Sequence, residues 1–128
     1  MGRPAARELT ERELEVMHVF WTLGEATAAE VRDVLSQSES ERAYTTIATL
    51  VRILADKKFL VQTNDERPFR YRPTRSYEDV SRSLLGDLID RVFRGSREQL
   101  LVRLIEQKAL TAEEKAMLEA TLREEESR

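Results

Sequence analysis

Residues 42–75, RAYTTIATLVRILADKKFLVQTNDERPFRYRPTR, bring hydroxyl and guanidinium groups together at spacings that suit phosphate oxygens and base edges. The segment carries eight basic residues (Arg42, Arg52, Lys57, Lys58, Arg67, Arg70, Arg72, Arg75) against three acidic ones (Asp56, Asp65, Glu66), a net of +5. Residues 1–41 hold four basic and nine acidic side chains, and residues 76–128 hold nine and twelve. One positive stretch therefore sits in an otherwise acidic chain, which is the electrostatic footprint expected for a polyanionic partner. The competing explanation is that the arginines keep an edge hairpin soluble.

Nothing in the chain assembles into a catalytic centre. His18 is the single histidine, with Glu11 and Glu15 as its nearest helix-spaced carboxylates, and it is expected to be a partly buried structural residue. The chain has no cysteine, so a disulfide framework, a thiolate metal site and a cysteine nucleophile are excluded. No G-x-S-x-G, phosphate loop or metal-ligand cluster occurs. The expectation is a protein that is not an enzyme and needs neither metal nor cofactor. No apolar run approaches the roughly 20 residues needed to span a bilayer, and the N-terminus lacks a signal-peptide core. A cytoplasmic protein with no membrane partner is expected.

The elements that must carry the basic segment announce themselves by their caps. Thr10 with Glu13, Thr27 with Glu30, and Thr111 with Glu114 are capping boxes, Ser96 with Gln99 is a similar pair, and Ser76 with Asp79 is a weaker one. Each satisfies free N–H groups and stabilises its helix by about 1 kcal/mol. After a basic, frayed arm at residues 1–9, the first helix runs to Leu23 and stops at Gly24. It buries Leu14, Met17, Val19, Phe20 and Trp21. The second begins at Thr27, buries Val31, Val34 and Leu35, and ends in the polar loop 36–41.

The third helix, about 44–57, turns Ile47, Leu50, Val51 and Leu54 inward. Its other side presents Thr45, Ala48, Thr49, Arg52 and Asp56, with Thr46 at the margin. Threonines lower helix propensity, so three of them in the first turns point to a use in the major groove; a threonine-rich packing face is the alternative. From Phe59 the period becomes two. Phe59–Thr63 and Phe69–Pro73 form strands around the turn 64–68, with Phe69 and Tyr71 on one side and Arg70 and Arg72 on the other. Three helices and an arginine-rich hairpin make a winged helix-turn-helix.

Beyond Ser76 helices are expected at about 76–93, 96–108 and 111–125, carrying more apolar residues than three short helices can bury among themselves. Glu124, Glu125 and Glu126 then form a solvated tail. The fold class is mainly α with a small β-hairpin: a winged-helix domain over 1–75 and a C-terminal three-helix dimerisation domain over 76–128. Pairing of two copies would cover Leu84, Leu88, Val92, Leu101, Leu104, Ile105 and Leu118; a bundle folded back on the winged helix of one chain is the alternative.

The order of these pieces resembles the BlaI/MecI/CopY family of bacterial repressors, known from penicillinase control. The resemblance rests on Leu9-Thr10 followed by Glu13, Val16, Met17 and Trp21, on Ala43-Tyr44-Thr45-Thr46-Ile47 with Thr49-Leu50, and on Lys57, Arg67, Tyr71 and Pro73. It implies a homodimer on a palindromic double-stranded DNA operator, with repression relieved by proteolysis or disruption of the dimerisation domain. The chain departs from the family pattern in four ways. The family's arginine late in the third helix falls on Ile53, with Arg52 one residue earlier. Its glycine after the lysine is Lys58. Its Asn-Phe cleavage site, where a regulatory protease would act, falls on Arg103-Leu104. The absence of cysteine excludes copper sensing through thiolates.

The candidate DNA-binding residues are Thr27, Tyr44, Thr45, Thr46, Thr49, Arg52, Lys57, Arg67, Arg70 and Arg72. A rival of another class is a winged-helix module that docks to a protein and does not bind DNA.

Overall fold

The computed structural model describes residues 6–37 and 43–127, which contain α1 (Glu11–Leu23), β1 (Ala26–Thr27), α2 (Ala28–Leu35), α3 (Tyr44–Asp56), β2 (Leu60–Gln62), β3 (Arg70–Pro73), α4 (Tyr77–Arg91), α5 (Arg97–Gln107) and α6 (Ala112–Glu126). The class is mainly α with a small antiparallel sheet, a winged helix-turn-helix followed by three helices. Contacts divide it into two compact units, Met1–Leu85 and Gly86–Arg128, so α4 begins in one and ends in the other. Most of the loop expected at 36–41, together with Arg42 and residues 1–5, lies outside the described residues.

The capping boxes set the helix starts. Thr10 Oγ1 accepts from the Glu13 N–H at 3.2 Å while Glu13 Oε1 accepts from the Thr10 N–H at 2.8 Å. The same reciprocal pair opens α2 at Thr27 and Glu30 and α6 at Thr111 and Glu114. α3 is different: its N-cap is Ala43, which offers no side-chain acceptor.

α1 ends at Gly24, whose N–H makes the last helical bond to the Phe20 carbonyl at 2.7 Å and whose φ of +86° turns the chain toward β1. That two-residue strand was not expected. It pairs with β3 (Ala26 opposite Tyr71, Thr27 opposite Arg70), while β2 pairs with the other side of β3 (Val61 opposite Arg72). The expected hairpin is thus a three-stranded sheet in the order β1-β3-β2, with β3 central. Asn64 holds the turn between β2 and β3. Its side chain donates to the Glu66 and Pro68 carbonyls at 2.9 and 3.1 Å and accepts from the Arg70 N–H at 2.8 Å.

The core of the first unit gathers Val16, Met17 and Phe20 of α1, Val31 and Leu35 of α2, Ile47, Val51 and Leu54 of α3, Phe59, Leu60 and Val80. Three expectations need correcting. Residues 6–9 are not a frayed arm: Ala6–Glu8 form a 3-10 turn, and Ala6 and Leu9 are buried. Val34, expected inside, is exposed. His18 is exposed too, packed edge-on against Trp21 with ring centroids 5.3 Å apart. Trp21 donates its indole N–H to the Arg75 carbonyl at 2.8 Å, which secures the start of α4 on α1.

α3 closes in a Schellman arrangement, with Phe59 N–H on the Leu54 carbonyl at 2.9 Å and Lys58 N–H on the Ala55 carbonyl at 3.0 Å. This geometry puts Lys58 at φ +73°, where a side chain crowds the following carbonyl. Lys58→Gly should therefore stabilise the chain by about 0.5–1 kcal/mol, raising its melting temperature by a few degrees in a thermal scan. A lower melting temperature would mean that the lysine side chain makes a compensating contact.

In the second unit α5 and α6 bury no residue, and Glu124, Glu125 and Glu126 are exposed as the last turn of α6. Leu88, Val92, Leu101, Val102, Leu104, Ile105, Met117, Leu118 and Leu122 are all exposed. Leu84, earlier on α4, packs instead against the core of the first unit.

Candidate nucleic-acid interface

α3 lies with Ile47, Val51 and Leu54 buried, so its opposite face is free to meet a ligand. Tyr44, Thr45, Thr49 and Arg52 are exposed and Thr46 is half-buried. Thr49 uses its hydroxyl proton on the Thr45 carbonyl at 2.9 Å, leaving an oxygen lone pair and a methyl group outward. The Arg32 guanidinium stands 6.0 Å from the centre of the Tyr44 ring, adding a cation at the start of α3 that the basic segment does not include.

Between α3, the start of α2 and the wing runs a cleft of about 700 Å³. Its walls are Thr27, Ala28 and Ala29 on one side, Tyr44, Ala48, Thr49, Val51 and Arg52 along α3, and Arg67, Pro68, Phe69 and Tyr71 from the wing. Of the candidate residues, the fold gathers Thr27, Tyr44, Thr49, Arg52 and Arg67 around this cleft. Thr45 and Thr46 sit on the first turn of α3 outside its lining. Arg67 rests over Phe69, its guanidinium 5.4 Å from the ring centre, so the wing arginine is held at the rim by an apolar partner.

Arg72 is exposed on β3 opposite Val61, outside the lining of the cleft, while Arg70 and Lys57 are engaged elsewhere. Arg70 donates to Glu25 at 3.1 Å and to Glu30 at 3.2 Å, fastening β3 to the start of α2. The Thr63 hydroxyl and then the Arg70 guanidinium hold the Glu25 carboxyl below its ordinary value, with Arg72 adding to the field. The Thr27 backbone N–H, and after it Arg70, do the same for Glu30. Both pairs are exposed and screened by solvent, so they orient the wing more than they stabilise it. Lys57 is bound to Glu13 at 2.9 Å. Ala28, Ala29, Phe69 and Tyr71 also line the cleft, and as small or aromatic side chains they carry no charge signal in the sequence. The period of two over residues 69–72 places Phe69 and Tyr71 on one side, opposite Arg70 and Arg72.

Among the described residues no group of histidine and carboxylate side chains could hold a metal ion, and no helix is long and apolar enough to cross a membrane.

The family model described as penicillinase repressor matches residues 9–124. The transcriptional regulator BlaI of Mycobacterium tuberculosis is 32% identical over 100 residues, covering 77% of this chain and 72% of its own. The methicillin resistance regulatory protein MecI of Staphylococcus aureus is 25% identical over 107 residues, covering 84% and 86%. The solution structure of the DNA-binding domain of the repressor BlaI superposes with a TM-score of 0.51 at 29% identity, over 62% of this chain and 93% of that domain.

Proposed function

The chain belongs to the penicillinase repressor family, and on that premise we propose that it is a sequence-specific DNA-binding repressor that acts as a homodimer on a palindromic operator. The carrying observation is the outward face of α3, where Thr45, Thr49 and Arg52 share one exposed side above a cleft whose far wall is Arg67. Hydroxyls, methyl groups and one long cation on a helix narrow enough for the major groove can meet base edges and thymine methyls. Arg67, across the cleft, is placed for the neighbouring phosphates.

The winged helix of residues 1–75 would bind DNA and residues 76–128 would dimerise, with the first turns of α4 serving the core of the DNA-binding lobe. The support for a dimer is the run of exposed leucines, isoleucine and valine on α4, α5 and α6. Burying each such side chain is worth about 1.5–3 kcal/mol, and a second copy offers the matching surface. Two lobes related by a two-fold axis then meet half-sites about one helical turn apart.

Relief of repression is assigned to the dimerisation helices. Arg103 and Leu104 lie within α5, exposed in the single chain, with Arg103 paired to Glu106 at 3.1 Å. A regulatory protease acting there would first have to open the helix and the dimer around it.

Titration of the full chain with DNA selected from a random pool, at several salt concentrations, tests this function. Binding should weaken steeply with salt. Arg67→Ala should weaken binding alike on selected and mixed sequences and lower the salt slope by about one. A loss confined to the selected sequence would mean that the wing reads bases. No DNA binding at any salt would favour the protein-docking module.

A further inference from the structure

Glu13 is 2% exposed, a carboxylate inside the apolar core of the first unit. Its Oε1 accepts from the Thr10 N–H at 2.8 Å and from Lys57 Nζ at 2.9 Å. The same ammonium donates to the Glu8 carbonyl at 3.0 Å. Burial pushes the Glu13 carboxyl up, but the Thr10 N–H and Lys57 together outweigh it and hold the group below its ordinary value. Lys57 is the C-cap of α3 and the residue before the left-handed turn that leads into the wing. One ammonium therefore ties the end of α3 and the entrance of the wing to the start of α1.

Lys57 belongs by sequence to the basic footprint, yet two of its three donors are committed inside the protein and its charge is met by a buried carboxylate. The remaining contacts of α3 with the core run through Ile47, Leu50, Val51, Leu54 and Ala55, and such non-directional apolar packing does not alone hold the end of the helix at one exact position. A directional, partly buried ion pair at one end does.

We propose that Lys57 is a positioning residue for DNA recognition: through Glu13 and the Glu8 carbonyl it sets where the outward face of α3 and the base of the wing stand, without itself touching a phosphate. This rests on the DNA-binding function proposed above.

The test compares the full-length chain with Lys57→Met, Glu13→Leu and the double variant Glu13→Leu/Lys57→Met. Binding to DNA selected by the wild-type protein and to mixed-sequence DNA is measured across salt, at a temperature where circular dichroism shows the variants folded. Each single variant should lose about tenfold of the preference for selected over mixed DNA, with the salt slope unchanged. The double variant, which leaves no charge unpaired but also no directional contact, should lose the preference about as much as either single variant, and it carries the test if Lys57→Met alone fails to fold. Recovery of the preference in the double variant would trace the single-variant losses to an unpaired buried charge and overturn the proposal. A salt slope shallower by about one in both Lys57→Met and the double variant would make Lys57 a phosphate ligand and overturn the proposal. An unchanged preference in every folded variant would overturn it too, leaving the pair a matter of stability alone. Failure of the wild-type chain to bind any DNA would instead remove the DNA-binding function, and this inference with it.

Discussion

A fragment ending at Leu85 should sediment as a monomer and bind the operator about 10²–10⁴-fold more weakly than the full chain. In a dimer the second lobe meets its half-site at the high effective concentration set by the first, and that gain disappears when the lobes are separated. The cut belongs after Leu85 rather than after Arg75. Val80 is 1% exposed in the core of the first unit, Leu84 packs on that core, and the Arg75 carbonyl accepts from Trp21. A fragment ending at residue 75 would open the core and confuse lost dimerisation with lost folding. Sedimentation and a binding titration on the longer fragment decide the matter. A dimeric fragment, or operator binding at full strength, would show that α5 and α6 do not control the affinity.

Replacing Thr45, Thr46 and Thr49 together by alanine should lower the preference for operator over mixed-sequence DNA by about 10–100-fold. Arg52→Ala alone should lower it by a similar amount where the guanidinium reads a base edge, but weaken both DNAs alike where it sits on phosphate. The two changes should separate in their salt dependence. The threonine variant removes hydroxyls and methyls but no charge, so its salt slope should stay as it was. Arg52→Ala should leave the slope unchanged if the guanidinium reads a base edge, and reduce it by about one if it sits on phosphate. Alanine is the better helix former, and Thr45 and Thr49 are exposed, so folding should be kept or improved. Competition binding against a random-sequence duplex measures the ratio. An unchanged ratio in the triple variant would show that α3 is not the reading helix.

Sequence patterns located the helices and the outward face of α3 because their causes are local. A capping box is a matter of residues three apart, and Thr10 with Glu13, Thr27 with Glu30 and Thr111 with Glu114 close as their spacing requires. The inward stripe of α3 follows from helical periodicity, and Ile47, Val51 and Leu54 are buried accordingly. The Lys58 turn is partly legible as well, since a lysine in the family's glycine position must take the left-handed conformation that the Schellman geometry demands.

What the pattern could not convey is which cations remain available to a ligand. Arg52, Lys57, Arg67, Arg70 and Arg72 count equally in a charge tally, but the fold separates them. Arg52 and Arg67 line the cleft, Arg70 is held by Glu25 and Glu30, and Lys57 is held by Glu13. These partners lie some 40 residues away along the chain, and an ion pair or hydrogen bond needs them within a few ångströms. The two-residue strand β1 is hidden for the same reason: Ala26 and Thr27 become a strand only because β3 arrives beside them. Local spacing carries helices, caps and alternating faces, whereas the free or engaged state of each charge is decided by the long-range packing of α1, α2, α3 and the wing.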